Sequence, residues 1–235
     1  MEIIDGFNIN GDENIKIWRY MNIAKFLDLL KSGELHFTKV SDFEDPYEGK
    51  VGDATRLFEK MGKSIDKQIK IRDYFDDMEN IASKCFVNCW HMNNFENVAM
   101  WKIYAENNMG IAIQTRVDKL KEAIRSVNNT RHKLYFQNVT YGDFENDNLP
   151  IIEPVNILFY KKKEFEYEKE FRIARVNKGT KEDFFRLKVD LNTLIENVYV
   201  APTAPTYYKE LLHDILLKYS CKNIEIKQNK NLLKK

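Results

Sequence analysis

The sequence predicts an α+β fold in a single domain over residues 1–235, with mixed, mostly antiparallel sheets flanked by helices. Strand-like alternation and helical spacing intermingle along the chain without strict β-α-β order. No internal repeat, low-complexity linker or Pro/Gly-rich hinge divides the 235 residues. A hydrophobic content of 43%, with 13% aromatic residues, suffices for a substantial core.

Taken in order, Ile15–Tyr20 alternates as a strand does. Asn22 then caps a helix whose apolar positions Ile23, Phe26, Leu27 and Leu30 follow helical spacing, and Gly33 ends it in the left-handed conformation. Leu35–Thr38 resumes a strand, and Ser41–Gly49 reads as a loop from its Pro, Gly and acidic residues. Residues 54–80 are charged and helical, and Lys84–Trp90 is a buried strand. Phe95–Glu106 has helical spacing with Val98, Trp101, Tyr104 and Ala105 facing inward. A turn at Asn108–Gly110 leads into a strand at Ile111–Thr115, a charged helix over 117–127 and a strand near Leu134–Tyr141. Pro150 and Pro154 precede a helix to about Lys163, followed by an acidic strand over Phe165–Arg175. Strands at Phe184–Val189 and Val198–Val200, a helix from Pro205 to Tyr219 and a strand at Ile224–Ile226 close the fold.

Charge excludes little. The 37 basic and 36 acidic residues leave a net charge of +1, so there is no general electrostatic footprint for nucleic acid, although a local patch remains open. No apolar run approaches the roughly 20 residues needed to cross a bilayer. Met1–Gly6 lacks the basic start and apolar stretch of a secretory signal, and three cysteines fit a reducing compartment. The expectation is a cytoplasmic protein without a membrane partner.

The acidic strand is the strongest lead. Period-two alternation puts Glu166, Glu168, Glu170 and Arg172 on one face, with Phe171 and Ile173 on the other. Neighbouring carboxylates repel and raise each other's pKa, which suits a wet edge or a site that meets a cation. The loop Phe43–Glu48 offers Glu44, Asp45 and Glu48 with two aromatics around Pro46, either as a plain turn or as a site rim. Arg19 sits between Trp18 and Tyr20, suited to a phosphate or to a salt bridge with Glu168 or Glu170. Cys85 and Cys89 would lie about 13 Å apart along a strand, and no second Cys/His pair stands near to complete a zinc site with His91, so no metal is expected. Nine glycines and the absence of a Walker loop or dinucleotide fingerprint exclude a glycine-rich phosphate cradle.

One ordered set of residues resembles a bacterial family, domain of unknown function 2971. The set comprises Trp18-Arg19-Tyr20, Leu35-x-Phe37, Ser41-Asp42-Phe43-Glu44-Asp45-Pro46-Tyr47-Glu48, Cys85-Phe86, Met100-Trp101-x-x-Tyr104-Ala105, Gly110–Ile113, Val139-x-Tyr141 and Phe165-x-x-Glu168-x-Glu170-x-Arg172. It covers about residues 15–177, with 178–235 completing the fold. Val87-Asn88 follows Cys85-Phe86 where a small hydroxyl residue is usual. More distantly, the order of elements is similar to the ADP-ribosyltransferase-type fold, although a Ser-Thr-Ser block is absent. That resemblance implies a split sheet, NAD as substrate, and catalytic Glu170 with Glu168. It implies that Arg19, with Tyr20, holds the NAD phosphates or ribose, and that Tyr47, Trp101 or Tyr104 stacks on nicotinamide. Asp45, Glu48 and Arg172 are the further substrate-binding candidates.

The resulting expectation is an NAD-consuming enzyme, transferring ADP-ribose to a macromolecular acceptor or hydrolysing NAD, as in a toxin or phage-defence effector. Two alternatives stand beside it. One is a nucleic-acid enzyme or binder in which Lys161–Lys163, Arg172 and Arg175 form a basic strip beside metal-holding acids. The other is a non-catalytic partner-binding module.

Overall fold

The computed structural model describes residues 2–6, 14–104, 108–128, 132–151, 153–177, 182–221 and 224–232. Strands are β1 (Glu2–Asp5), β2 (Lys16–Met21), β3 (Glu34–Lys39), β4 (Phe86–Met92), β5 (Ile111–Arg116) and β6 (Lys133–Asn138). They continue as β7 (Thr140–Gly142), β8 (Tyr160–Lys162), β9 (Glu170–Arg175), β10 (Phe185–Lys188), β11 (Asn197–Val200) and β12 (Glu225–Lys227). Helices are α1 (Ile23–Ser32), α2 (Asp53–Lys60), α3 (Ile65–Ala82), α4 (Val98–Tyr104), α5 (Val117–Arg125), α6 (Leu191–Leu194) and α7 (Thr206–Lys218).

Ten strands form one sheet in the order β1-β6-β9-β4-β2-β5-β11-β12, with β3 branching from β4 and carrying β10 at its outer edge. Only the outer pairs β1–β6 and β11–β12 are parallel, so the sheet is mostly antiparallel, as expected for an α+β fold. β7 and β8 form a separate parallel pair.

The branch creates the cleft. On one side β4 pairs with β9 along six residues, from Phe86↔Arg175 to His91↔Glu170. On its other side, β3 pairs only with Phe86 and Val87, and β2 only with His91 and Met92. Among the described residues, no strand therefore pairs with 88–90 on that side, and the edge between β2 and β3 lies open. Asn88 bridges part of the gap by donating its Nδ2 to the His36 carbonyl at 2.8 Å.

Local sequence explains most of the framework. Asn22 accepts from the Lys25 amide to start α1, and Gly33, at φ 62° and ψ 33°, ends it. Alternation on β9 sends Phe171 and Ile173 into the larger core cluster with Phe86 and Trp90. Ala174 joins a smaller cluster with Val87, Phe75 and Leu158 on the opposite face. Arg172 shares that opposite face by its register, which buries a guanidinium behind the cleft.

Several expectations need correction. Lys163–Glu168 is a 3-10 helix rather than part of the acidic strand, and Lys169 turns the chain in the left-handed conformation at φ 41°. Glu166 therefore points to solvent instead of sharing a face with Glu170. The helix expected before it is a 3-10 turn over Pro154–Phe159 followed by β8, because Val155–Phe159 is apolar enough to bury in the smaller cluster. The long charged helix breaks into α2 and α3 around Gly62, whose φ is 69°. α4 is shorter than its spacing suggested and Tyr104 lies 42% exposed, while Ala105 and Glu106 fall outside the described residues. The strand over 134–141 divides into β6 and β7, and β1 and α6 carried no signal strong enough to read.

Candidate functional site

A cleft of about 940 Å³ opens where β2 and β3 part, within the roughly 300–1,000 Å³ range of small-molecule sites. Arg19, Tyr20, Asp45, Tyr104, Glu168 and Glu170 all line it. Glu48 and Arg172 lie behind it, while Tyr47 and Trp101 are not among its walls.

Arg19 lines the cleft from β2. Its Nη2 donates to the His36 carbonyl at 3.2 Å, its guanidinium lies 5.9 Å from the Trp90 ring centre, and its Nη1 is buried with no partner among the described residues. The salt bridge to Glu168 or Glu170 that the sequence left open is not made; those acids pair with Lys161 and Arg172 instead. Burial lowers the Arg19 pKa to about 10, so it stays cationic at neutral pH. A buried guanidinium nitrogen without an acceptor is costly unless a ligand supplies one.

The cleft carboxylates meet two cations. Lys161 Nζ lies 2.5 Å from Glu168 Oε2, 3.1 Å from Glu170 Oε1 and 3.4 Å from Glu48 Oε1. Arg172 grips Glu48 through both terminal nitrogens at 2.7 and 2.9 Å, and its Nε reaches Glu170 Oε2 at 2.5 Å. Three carboxylates against two cations leave the cluster net negative when all are ionised. The place a divalent metal would take among these acids is filled by the Lys161 ammonium.

The two cleft glutamates differ in protonation. Burial raises the Glu168 pKa to about 7, reinforced by Glu170 and only partly opposed by Lys161. Burial would also raise that of Glu170, but the Arg172 charge, the hydrogen bond with Glu168 and the Lys161 charge outweigh it and hold Glu170 well below the usual carboxylate range. One group thus stays ionised while its neighbour exchanges a proton near neutrality.

Neighbouring elements fix Glu168. Tyr104 donates its hydroxyl to Glu168 Oε1 at 2.9 Å. His91, kept neutral chiefly by burial, lies with Nδ1 2.5 Å from the Glu168 carbonyl, which requires the proton on Nδ1. Asn97 donates to His91 Nε2 at 3.3 Å, accepts from the Ala99 amide, and gives its own amide to the Tyr20 hydroxyl at 2.9 Å. Tyr20 is thereby a wall element, packed edge-on to Trp101 at 4.9 Å.

The remaining candidates have structural partners. Trp101 is buried with its Nε1 on Glu96, and Tyr47 lies outside the cleft under the Lys162 ammonium at 4.1 Å. Asp45 holds the loop through the Tyr47 amide, and its Oδ2 is buried without a partner. The basic strip does not form: Lys161 and Arg172 are buried, and Arg175 pairs with Glu182. Lys161, His91 and Asn97 were missed as site residues. Nothing in Lys161-Lys162-Lys163 sets the first lysine apart; the parallel β7–β8 pairing does.

These features define an α+β protein with a carboxylate pair and a half-buried arginine facing one cleft. Residues 100–173 match the model of the family described as a protein of unknown function (DUF2971), and over that stretch the motif resemblance holds. The match includes Met100-Trp101, Tyr141 and Glu168-x-Glu170-x-Arg172. No curated protein and no solved structure matches the chain. Among the described residues, no helix is long and apolar enough to cross a membrane.

Proposed function

We propose that the cleft binds NAD and cleaves its nicotinamide–ribose bond, passing ADP-ribose to a macromolecular acceptor or to water. The observation that carries this reading is Arg19: a half-buried guanidinium whose Nη1 is buried and which has no carboxylate partner among the described residues, in the same cleft as the Glu168–Glu170 pair. Arg19 takes the diphosphate, for which a guanidinium is well suited. Breaking the glycosidic bond sends its electron pair to nicotinamide and leaves positive charge on the ribose. The ionised Glu170, in a cluster that is net negative when Glu48 and Glu168 are also ionised, stabilises that charge. The acceptor then bonds to the ribose carbon, and the proton it loses passes to the Glu168 carboxylate. Tyr104 keeps Glu168 in place through its hydroxyl, and its exposed ring borders the cleft where nicotinamide would lie.

Calorimetric titration with NAD tests the first step. The wild type is expected to bind, and Arg19→Gln to bind at least about tenfold more weakly, as follows from losing a charge-assisted phosphate contact. Equal affinity in both proteins would remove Arg19 from the site.

A further inference from the structure

We propose that Lys161 is the positioning residue that governs proton release from Glu168, while Arg172 chiefly holds Glu170 as the anion. Only the activity half of its test rests on the NAD-cleaving reading.

The geometry is asymmetric. Both Glu170 oxygens face cations, Oε1 toward Lys161 and Oε2 toward Arg172. Glu168 has one oxygen on Lys161 and the other on the neutral Tyr104 hydroxyl. Lys161 is itself buried, with its ammonium 4.5 Å from the Phe165 ring centre, and the Tyr141↔Lys161 register of β7 and β8 fixes its backbone. It cannot swing into solvent without leaving Glu48, Glu168 and Glu170 together.

Groups from every packed element face the pair. The loop contributes Glu48, β4 contributes Cys89 and His91, α4 contributes Tyr104, β7 contributes Tyr141 and β9 contributes Arg172. Burial keeps the Cys89 thiol and both tyrosine hydroxyls protonated, and keeps His91 neutral. The charges left to divide the proton are Glu48, Arg172 and Lys161. Glu48 is bound bidentately by Arg172, and Arg172 does not touch Glu168. Lys161 is the one of the three cluster charges that contacts both cleft carboxyls.

Carbon-13 spectra of glutamate-labelled protein read the protonation directly. In the wild type one cleft carboxyl is expected to titrate near neutrality while the other stays ionised. Lys161→Gln is expected to raise that transition by at least about one pH unit, since a neighbouring cation is lost, and Lys161→Arg to restore it. An unmoved transition in Lys161→Gln, or a wild type with no carboxyl titrating near neutrality, would overturn the assignment. If Lys161→Gln does not fold, Glu170→Gln reads the same pair: removing the anion should lower the Glu168 transition, and no movement overturns it. Where NAD is cleaved, the pH profile of nicotinamide release should move with the spectral transition, and a fixed profile would refute the proton-carrier role. A moving transition without nicotinamide release would sink the NAD reading and leave the role of Lys161 standing.

Discussion

Replacing Glu168 by Gln should make the protein more stable than the wild type at alkaline pH and leave it equal in mild acid. Glutamine has the shape of the protonated carboxyl, accepts from Tyr104 or Lys161, and donates to Glu170. Between pH 4.5 and about 7 the folded wild type keeps a proton at Glu168 that the unfolded chain has lost, so its stability falls as pH rises through that window. A carboxyl pKa raised from 4.5 to about 7 corresponds to about 3 kcal/mol, at roughly 1.4 kcal/mol per pH unit. One side of Glu168 faces the cleft, where water screens the charge, which reduces the expected effect to about 2 kcal/mol. The lowered pKa of Glu170 works in the opposite sense and only in stronger acid, so it does not enter. Urea unfolding of both proteins in mild acid and at alkaline pH measures the difference. If the two stabilities change in parallel, or the wild type gains on the variant as pH rises, Glu168 is an ordinary ionised partner of Lys161 and the reasoning fails.

Other perturbations separate structural from ligand-facing charges. Glu48→Gln breaks the bidentate contact with buried Arg172 and should cost about 3–5 kcal/mol in urea unfolding, the range for removing one partner of a buried pair. Arg19→Gln removes a cation with an unpartnered nitrogen, so its unfolding midpoint should equal or exceed that of the wild type. A large loss would show that the contacts of Arg19 with the His36 carbonyl and the Trp90 ring outweigh the cost of its unpartnered nitrogen. Asn97→Ala removes the side-chain bond to the Ala99 amide at the start of α4 and the bond to His91, and should cost about 1–2 kcal/mol by thermal unfolding.

How much of this the sequence revealed depended on whether the signal was local. The cap at Asn22, the left-handed Gly33 and the alternation of Phe171 and Ile173 against Arg172 are set by neighbours within a few residues, and all stand in the structure. The Glu168–Glu170 pair was legible, but its geometry was not. The left-handed turn at Lys169 carries a non-glycine residue that no local rule anticipates. The partners that give the pair its chemistry come from distant elements: Lys161 through a parallel strand pair, Glu48 through a loop, and Tyr104 through a short helix. Trp101 and Tyr47 were aromatic in the right part of the chain, yet packing turned one into the core and the other to a surface lysine. Arg19 was legible as a candidate, whereas its lack of a carboxylate among the described residues required knowledge of which acids the other cations occupy.

The most direct measurement is nicotinamide release, followed by chromatography, from NAD incubated with the wild type, Glu168→Gln and Glu170→Gln. The account predicts release by the wild type and at least about a hundredfold slower release by each variant, the scale of losing a proton-transfer or charge-stabilising group. Release that persists undiminished in both variants, or a folded wild type that binds NAD and leaves it intact, would contradict it.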